Sequence, residues 1–257
     1  MSDVDSQSTK PRGLPRAEAL YTALATLFCV VLVLTNIVGV KLFELFESGR
    51  PAWIPGEGPM TLTTGIITYP ITFLCTDLVA EIWGKRRANL MVWLGFGMSI
   101  LMLGIVRVAM GLSPSDFWAN SDLGLDAAAM QSAFEVTFQF PALLLLASMS
   151  AYLVAQLVDV RLYHFWWRVT GGRHMWIRNN GSTMISQLLD TGIVNGIFLP
   201  LAFDMSWPDV GAIIAAQYVC KLLLAVVDTP LVYLGRSLIR SFLGLPAGAA
   251  GDSAPLA

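Results

Sequence analysis

Apolar residues gather into six long stretches: Leu20–Phe43, Gly65–Trp83, Ala88–Met110, Phe138–Asp159, Gly181–Phe203 and Val210–Leu234. A hydrocarbon core of ~30 Å is crossed by about 20 apolar residues in a helix. The helix also satisfies its own backbone there, where no water can. The pattern therefore predicts an all-α polytopic membrane protein of six transmembrane helices. It predicts one membrane domain over residues 19–240. A polar tail over 1–18 and a Gly/Ala/Pro-rich tail over 241–257 are expected to stay unstructured. The polar start lacks the apolar core of a secretory signal.

Polar residues inside these stretches are not scattered. In Gly65–Arg87 (GIITYPITFLCTDLVAEIWGKRR), Asp77 and Glu81 stand four apart, a spacing that puts both on one helical face. A carboxylate inside hydrocarbon costs several kcal/mol, about 2.5–3.5 on insertion scales, so it faces protein, a partner or water. On the fourth stretch Ser148, Tyr152, Gln156 and Asp159 recur at spacings of one helical face. Thr183, Gln187, Asp190, Thr191 and Asn195 do so on the fifth, and Gln217, Lys221 and Asp228 on the sixth. The first contributes Thr35 and Asn36. Single Ser, Thr or Asn residues in membrane helices commonly serve as packing contacts. Stripes in register that include carboxylates point instead to an internal polar site. At ~1.5 Å per residue, Asp77, Asp190, Lys221 and Asp228 fall between the cytoplasmic third and the midplane. Glu81 and Asp159 are shallower and fit either the site or a solvated interface.

The charges orient the bundle. Twelve of the sixteen Lys and Arg residues lie in the N-terminal tail, the second and fourth connections or after the sixth helix. The odd connections carry mainly acids, with Arg50 alone in the first. Basic excess marks the cytoplasmic side, so both termini are expected inside. On that side, Leu162–Trp167 suits an interfacial aromatic belt. On the outer side, Arg50–Pro59 reads as a Pro/Gly loop. Asp126–Val136 reads there as an amphipathic interfacial helix with Met130 and Phe134 toward lipid. Pro70, Pro141 and Pro230 interrupt the helical ladder of their stretches and either line a cavity or tune packing.

Composition agrees with this class: 55% of the 257 residues are hydrophobic and 13% charged, against roughly 25% charged in soluble domains. No extended basic patch suggests nucleic-acid binding. Cys29, Cys75 and Cys220 sit in apolar runs and read as buried small hydrophobes, and neither metal-ligand spacing nor a cofactor motif occurs. There is no phosphate-binding GxxxxGK[ST] loop, no HExxH and no GxSxG. An intramembrane enzyme built on paired acids is the rival class, but no acid sits in a recognisable catalytic context such as GxGD.

Three runs carry a family resemblance: YPITFLCTDLVAEIWGKRRA (Tyr69–Ala88), ASMSAYLVAQLVDV (Ala147–Val160) and WIRNNGSTMISQLLDT (Trp176–Thr191). They resemble queuosine precursor transporters, a group related to vitamin uptake transporters; Asn36 and the Tyr218…Lys221 pattern fit as well. The resemblance implies a six-helix fold similar to the substrate-binding subunits of energy-coupling-factor importers. It implies import of deazaguanine bases such as 7-cyano-7-deazaguanine, precursors of the tRNA base queuosine, across a bacterial inner membrane. It favours Asn36, Asp77, Gln156, Asp159, Ser182, Thr183, Asp190, Thr191 and Lys221 as site residues, with Glu81 less securely placed. The alternative is a substrate-capture subunit of a multi-component vitamin importer. Beyond substrate and lipid bilayer, no partner is implied, and homo-oligomerisation stays open.

Two expectations follow for such a substrate. A carboxylate can accept from the ring N–H and exocyclic amine of a guanine-like edge, Asn or Gln can read a carbonyl and ring nitrogen, and Tyr69, Phe73 or Tyr152 can stack on the flat ring. Lys221 near the midplane needs an acid partner. Asp228 is about 10 Å away along the helix axis, whereas Asp190 on an antiparallel helix is within reach. Lys221 and Asp190 are therefore expected to pair.

Overall fold

The computed structural model describes residues 15–46, 59–169 and 175–244. Within these, the side chains of Lys85, Ser121, Gln156, Asp159, Val160, Tyr163, His164, Trp166, Trp167, 175–183, Asp228 and Thr229 lie outside the description. The helices are α1 (Arg16–Val38), α2 (Gly65–Trp83), α3 (Lys85–Met110), α4 (Ala127–Gln139), α5 (Pro141–Val169), α6 (Met175–Phe203) and α7 (Trp207–Leu243). Two short strands, β1 (Leu42–Leu45) and β2 (Met60–Thr63), pair antiparallel between α1 and α2. Among the described residues six helices are long and apolar enough to cross a membrane. The chain is a multi-pass membrane protein.

Each connection follows from local chemistry. Gly84 takes a φ of 84°, which an L side chain resists, and so turns α2 into α3 with a single residue. The basic run Lys85–Arg87, expected in a connection, is therefore the first turn of α3. Cations are unfavourable at a helix N-terminus. Arg87 is compensated by a bidentate pair with Glu18 of α1, at 2.8 and 2.9 Å, and by the face of Tyr21 at 5.0 Å.

Beyond Met110 the chain turns through 3-10 turns into α4, which is capped by the Asp126 carboxylate accepting from Ala129 N at 2.7 Å. Met130 and Phe134 are both half-buried, and the Phe134 ring packs on Trp118 and Phe138. Pro141, expected inside a helix, opens α5 instead, where its missing N–H costs nothing.

The first stretch ends early. Gly39 caps α1, so Leu42 and Phe43 enter β1 rather than extending the helix. Strands flank the connection, and the expected loop Arg50–Pro59 lies, except for Pro59, outside the described residues. α5 and α6 run past the expected boundaries to Val169 and from Met175, so the aromatic run Leu162–Trp167 is helical. α1 takes in Arg16–Glu18 and α7 runs on to Leu243; the remainder of the two expected tails lies largely outside the description.

The helices close into a ring. α1, α2 and α3 pack on one another, α5 and α6 form a long antiparallel pair, and α7 bridges α2 and α6. At the end bearing Gly84, Arg16 of α1 lies over the Phe242 ring of α7, and Arg236 of α7 pairs with Glu81 of α2 at 3.1 Å. One apolar core (Phe28, Cys75, Val79, Trp83, Met91) fills the space among α1, α2 and α3 at that end. A second (Leu144, Phe198, Leu199, Val210, Ile213) fills the opposite end. α1 and α3 approach closely at Gly95: a Cβ there would stand 2.7 Å from Leu32 and 2.8 Å from Phe28.

Candidate functional site

At the opposite end from Gly84 the hairpin dips into the ring. Met60 and Leu62, each 1% exposed, pack with Ala216 and Cys220 of α7. These α7 residues lie ~14–20 Å along from Trp207. The alternate residues of β2 are threonines, and the hydroxyls of Thr63 and of the next residue, Thr64, are spent on the bundle. Thr64, just after the strand, donates to the carbonyls of Val38 and Lys41. Asn195 of α6 donates to Gln217 of α7 at 2.7 Å, and Gln217 donates to Thr63 Oγ1. This chain of side chains joins α6, α7 and β2 across the ring and is buried at every member. The backbone of an open strand is tolerated at such depth because protein surrounds it.

Below the hairpin lies a cavity of about 530 Å³. All six spanning helices supply its wall: Thr35 and Asn36 from α1, Tyr69, Phe73 and Asp77 from α2, Asn89 and Phe96 from α3. Ser148 and Tyr152 come from α5, Gln187, Asp190, Thr191 and Asn195 from α6, and Gln217 and Lys221 from α7. Its two ends differ. Asn36, Thr191, Asn195 and Gln217 toward the hairpin are buried, whereas Asp77 and Asn89 toward Gly84 are exposed.

Lys221 Nζ stands 3.1 Å from Asp190 Oδ2, the pairing the sequence predicts. The ammonium also lies 5.0 Å from the centroid of the Tyr69 ring, and Tyr69 and Phe73 have ring centroids 4.1 Å apart. A cation over an aromatic face gains about 0.5–2 kcal/mol, so Lys221 is held by charge on one side and by a ring on the other. Asn36 is 2% exposed; its amide nitrogen donates to Leu32 O and Ser99 Oγ, both at 3.1 Å, tying α1 to α3. Thr35 and Thr68 hydroxyls meet at 2.7 Å across α1 and α2. Thr191 donates to the backbone carbonyl of Gln187 at 2.8 Å. Gln187 Oε1 is buried without a hydrogen-bond partner among the described residues. An unmade bond of that kind costs about 1–3 kcal/mol.

The sequence stripes thus converge, with one departure. Asn36, Asp77, Tyr152, Gln187, Asp190, Thr191, Asn195 and Lys221 all line one cavity. Glu81 does not: a turn beyond Asp77, it reaches sideways to Arg236 and ties α2 to α7. The side chains of Gln156, Asp159, Ser182, Thr183 and Asp228 lie outside the described residues. Asn89, Phe96 and Thr63 join the wall without having been singled out. The alternation Met60-Thr61-Leu62-Thr63 before a helix was the available signal for the last of these.

Six apolar helices around a cavity lined in part by polar and charged side chains give a multi-pass membrane protein with an internal candidate site. The chain matches the family described as "Putative vitamin uptake transporter" over residues 63–235. It is 30% identical over 210 residues to the "Probable queuosine precursor transporter" of Bacillus subtilis (strain 168), an overlap covering 80% of each chain. This protein belongs to that family of transporters. No solved structure matches it.

Proposed function

We propose that this protein imports a queuosine precursor, a 7-deazaguanine base such as 7-cyano-7-deazaguanine, across a bacterial inner membrane. The observation that carries the proposal is the cavity itself, in which carboxylate, amide and ammonium groups surround stacked aromatic rings. Such a lining suits a flat, uncharged ring edged with hydrogen-bond donors and acceptors. In this reading Asp77 accepts from the ring N–H and exocyclic amine, the ring stacks beside Tyr69 and Phe73, and the Lys221–Asp190 pair forms the adjoining wall. The likeness to the Bacillus subtilis protein supports the substrate class. The fold is proposed to resemble the substrate-binding subunits of energy-coupling-factor importers, with no ATPase in this chain and no enzymatic activity.

The basic bias supports a cytoplasmic Gly84 end; in that reading the exposed Asp77 side of the cavity faces inward and the hairpin lies toward the outside. Reporter fusions after Arg87, Arg178 and Arg240 are expected to report cytoplasm, and fusions after Pro59, Asp122 and Asp209 the outside. One inversion in that series would break the orientation. The function is tested in cells unable to make queuosine. Expression of the chain is expected to confer uptake of labelled deazaguanine, and uptake equal to that of an empty vector would overturn the proposal.

A further inference from the structure

Asn89 differs from the other amides of the cavity wall. Asn36 is spent on Leu32 and Ser99, Asn195 and Gln217 on each other and Thr63, and the Gln187 side-chain oxygen is shielded from solvent. Asn89 lines the same cavity but is exposed, and its side chain bonds to no described residue. An amide in that state holds only water, and it can exchange that water for a ligand without giving up any contact within the fold. It offers two N–H donors and one acceptor.

Its place in the fold is beside Asp77. α2 and α3 pack on each other and are joined through Gly84 alone. Asp77 precedes that glycine by seven residues and Asn89 follows it by five. At ~1.5 Å per residue the two differ in depth by only about 3 Å. Packed helix axes stand ~8–10 Å apart, so two side chains that line the cavity from these neighbours flank a gap about as wide as one purine edge. A deazaguanine that turns its ring N–H and amine to Asp77 carries its six-position carbonyl directly beside that N–H. The carbonyl only accepts, and so does a carboxylate, whereas the Asn89 amide can donate. We propose that Asn89 is a specificity-determining residue that reads this carbonyl while Asp77 accepts from the adjoining N–H and amine. Together the two side chains match the acceptor–donor–donor order of a guanine-type edge. This inference rests on the substrate class proposed above.

The test is binding of labelled 7-cyano-7-deazaguanine to the purified full chain, in competition with the unlabelled base and with its six-thio analogue. The analogue keeps the N–H and the amine for Asp77 but accepts only weakly at the six position. Wild type is expected to prefer the oxo base. Asn89→Leu is expected to weaken the oxo base about tenfold, the worth of one well-made hydrogen bond. It is expected to leave the thio analogue nearly unchanged, and so to collapse the preference. Asn89→Asp, isosteric at an exposed position, replaces the donor with an acceptor and is expected to weaken the oxo base at least as much, even if the leucine variant inserts poorly. Equal weakening of both compounds marks a merely structural role and overturns the inference, as does an unchanged preference. Wild-type binding of no deazaguanine overturns the proposed substrate and this inference together, an outcome separable from the others because the unaltered chain itself then fails.

Discussion

Lys221→Met is expected to lower the yield of folded protein and its uptake, and the double variant Lys221→Met/Asp190→Asn to recover at least the yield. The single change removes the cation from the Tyr69 face and leaves the Asp190 carboxylate without its 3.1 Å partner. Breaking a fully buried pair from one side costs about 3–5 kcal/mol, while removing both charges is often nearly neutral. Here the two side chains are 13% and 29% exposed, through the cavity, so the cost falls at or below the low end of that range. Even ~2 kcal/mol is a large share of a marginal stability. Monodispersity and yield in detergent measure the first effect, and a double variant no better than the single one would sink the pairing as a stabilising element.

Asp77→Asn is expected to behave in the opposite way, with normal insertion and uptake at background. Asp77 is exposed in the cavity wall. Asparagine keeps its shape but places an NH₂ donor where one carboxylate oxygen accepted. A guanine-like edge would then meet donor with donor. Losing a charge-assisted bond and gaining that mismatch amounts to about 3 kcal/mol or more, roughly a hundredfold in affinity. Near-wild-type uptake by a well-inserted variant would remove Asp77 from the site.

The bundle and its polar stripes were legible in the sequence because both obey the helical period. Asp190 and Lys221 could be matched because the rise per residue fixes depth and the connections fix direction. What the period does not encode is which way a side chain leaves the edge of a stripe. Glu81 follows Asp77 by four residues, yet Arg236 draws it out of the cavity. No local rule foresees a partner 155 positions away in sequence. The hairpin was missed for a different reason. Four-residue strands next to a Pro/Gly segment give a short, weak alternation, and β2 is held by α7 through Gln217 rather than by its own propensity. The charge cluster at Lys85 was read as a loop because Gly84 turns the chain alone.

The hairpin carries the mechanical side of the account. In the proposed import, a substrate arriving from the hairpin side would have to part Thr63 from Gln217 and Gln217 from Asn195. Alternating access would then consist of breaking that buried chain and closing the exposed end.

Uptake of labelled 7-cyano-7-deazaguanine into liposomes containing this purified chain alone tests the central claim most directly. The expected result is time-dependent accumulation above protein-free liposomes that Asp77→Asn abolishes. Binding of the base to the purified chain with no accumulation inside the vesicles would contradict it, and would make the chain a capture subunit that needs a partner to move its substrate.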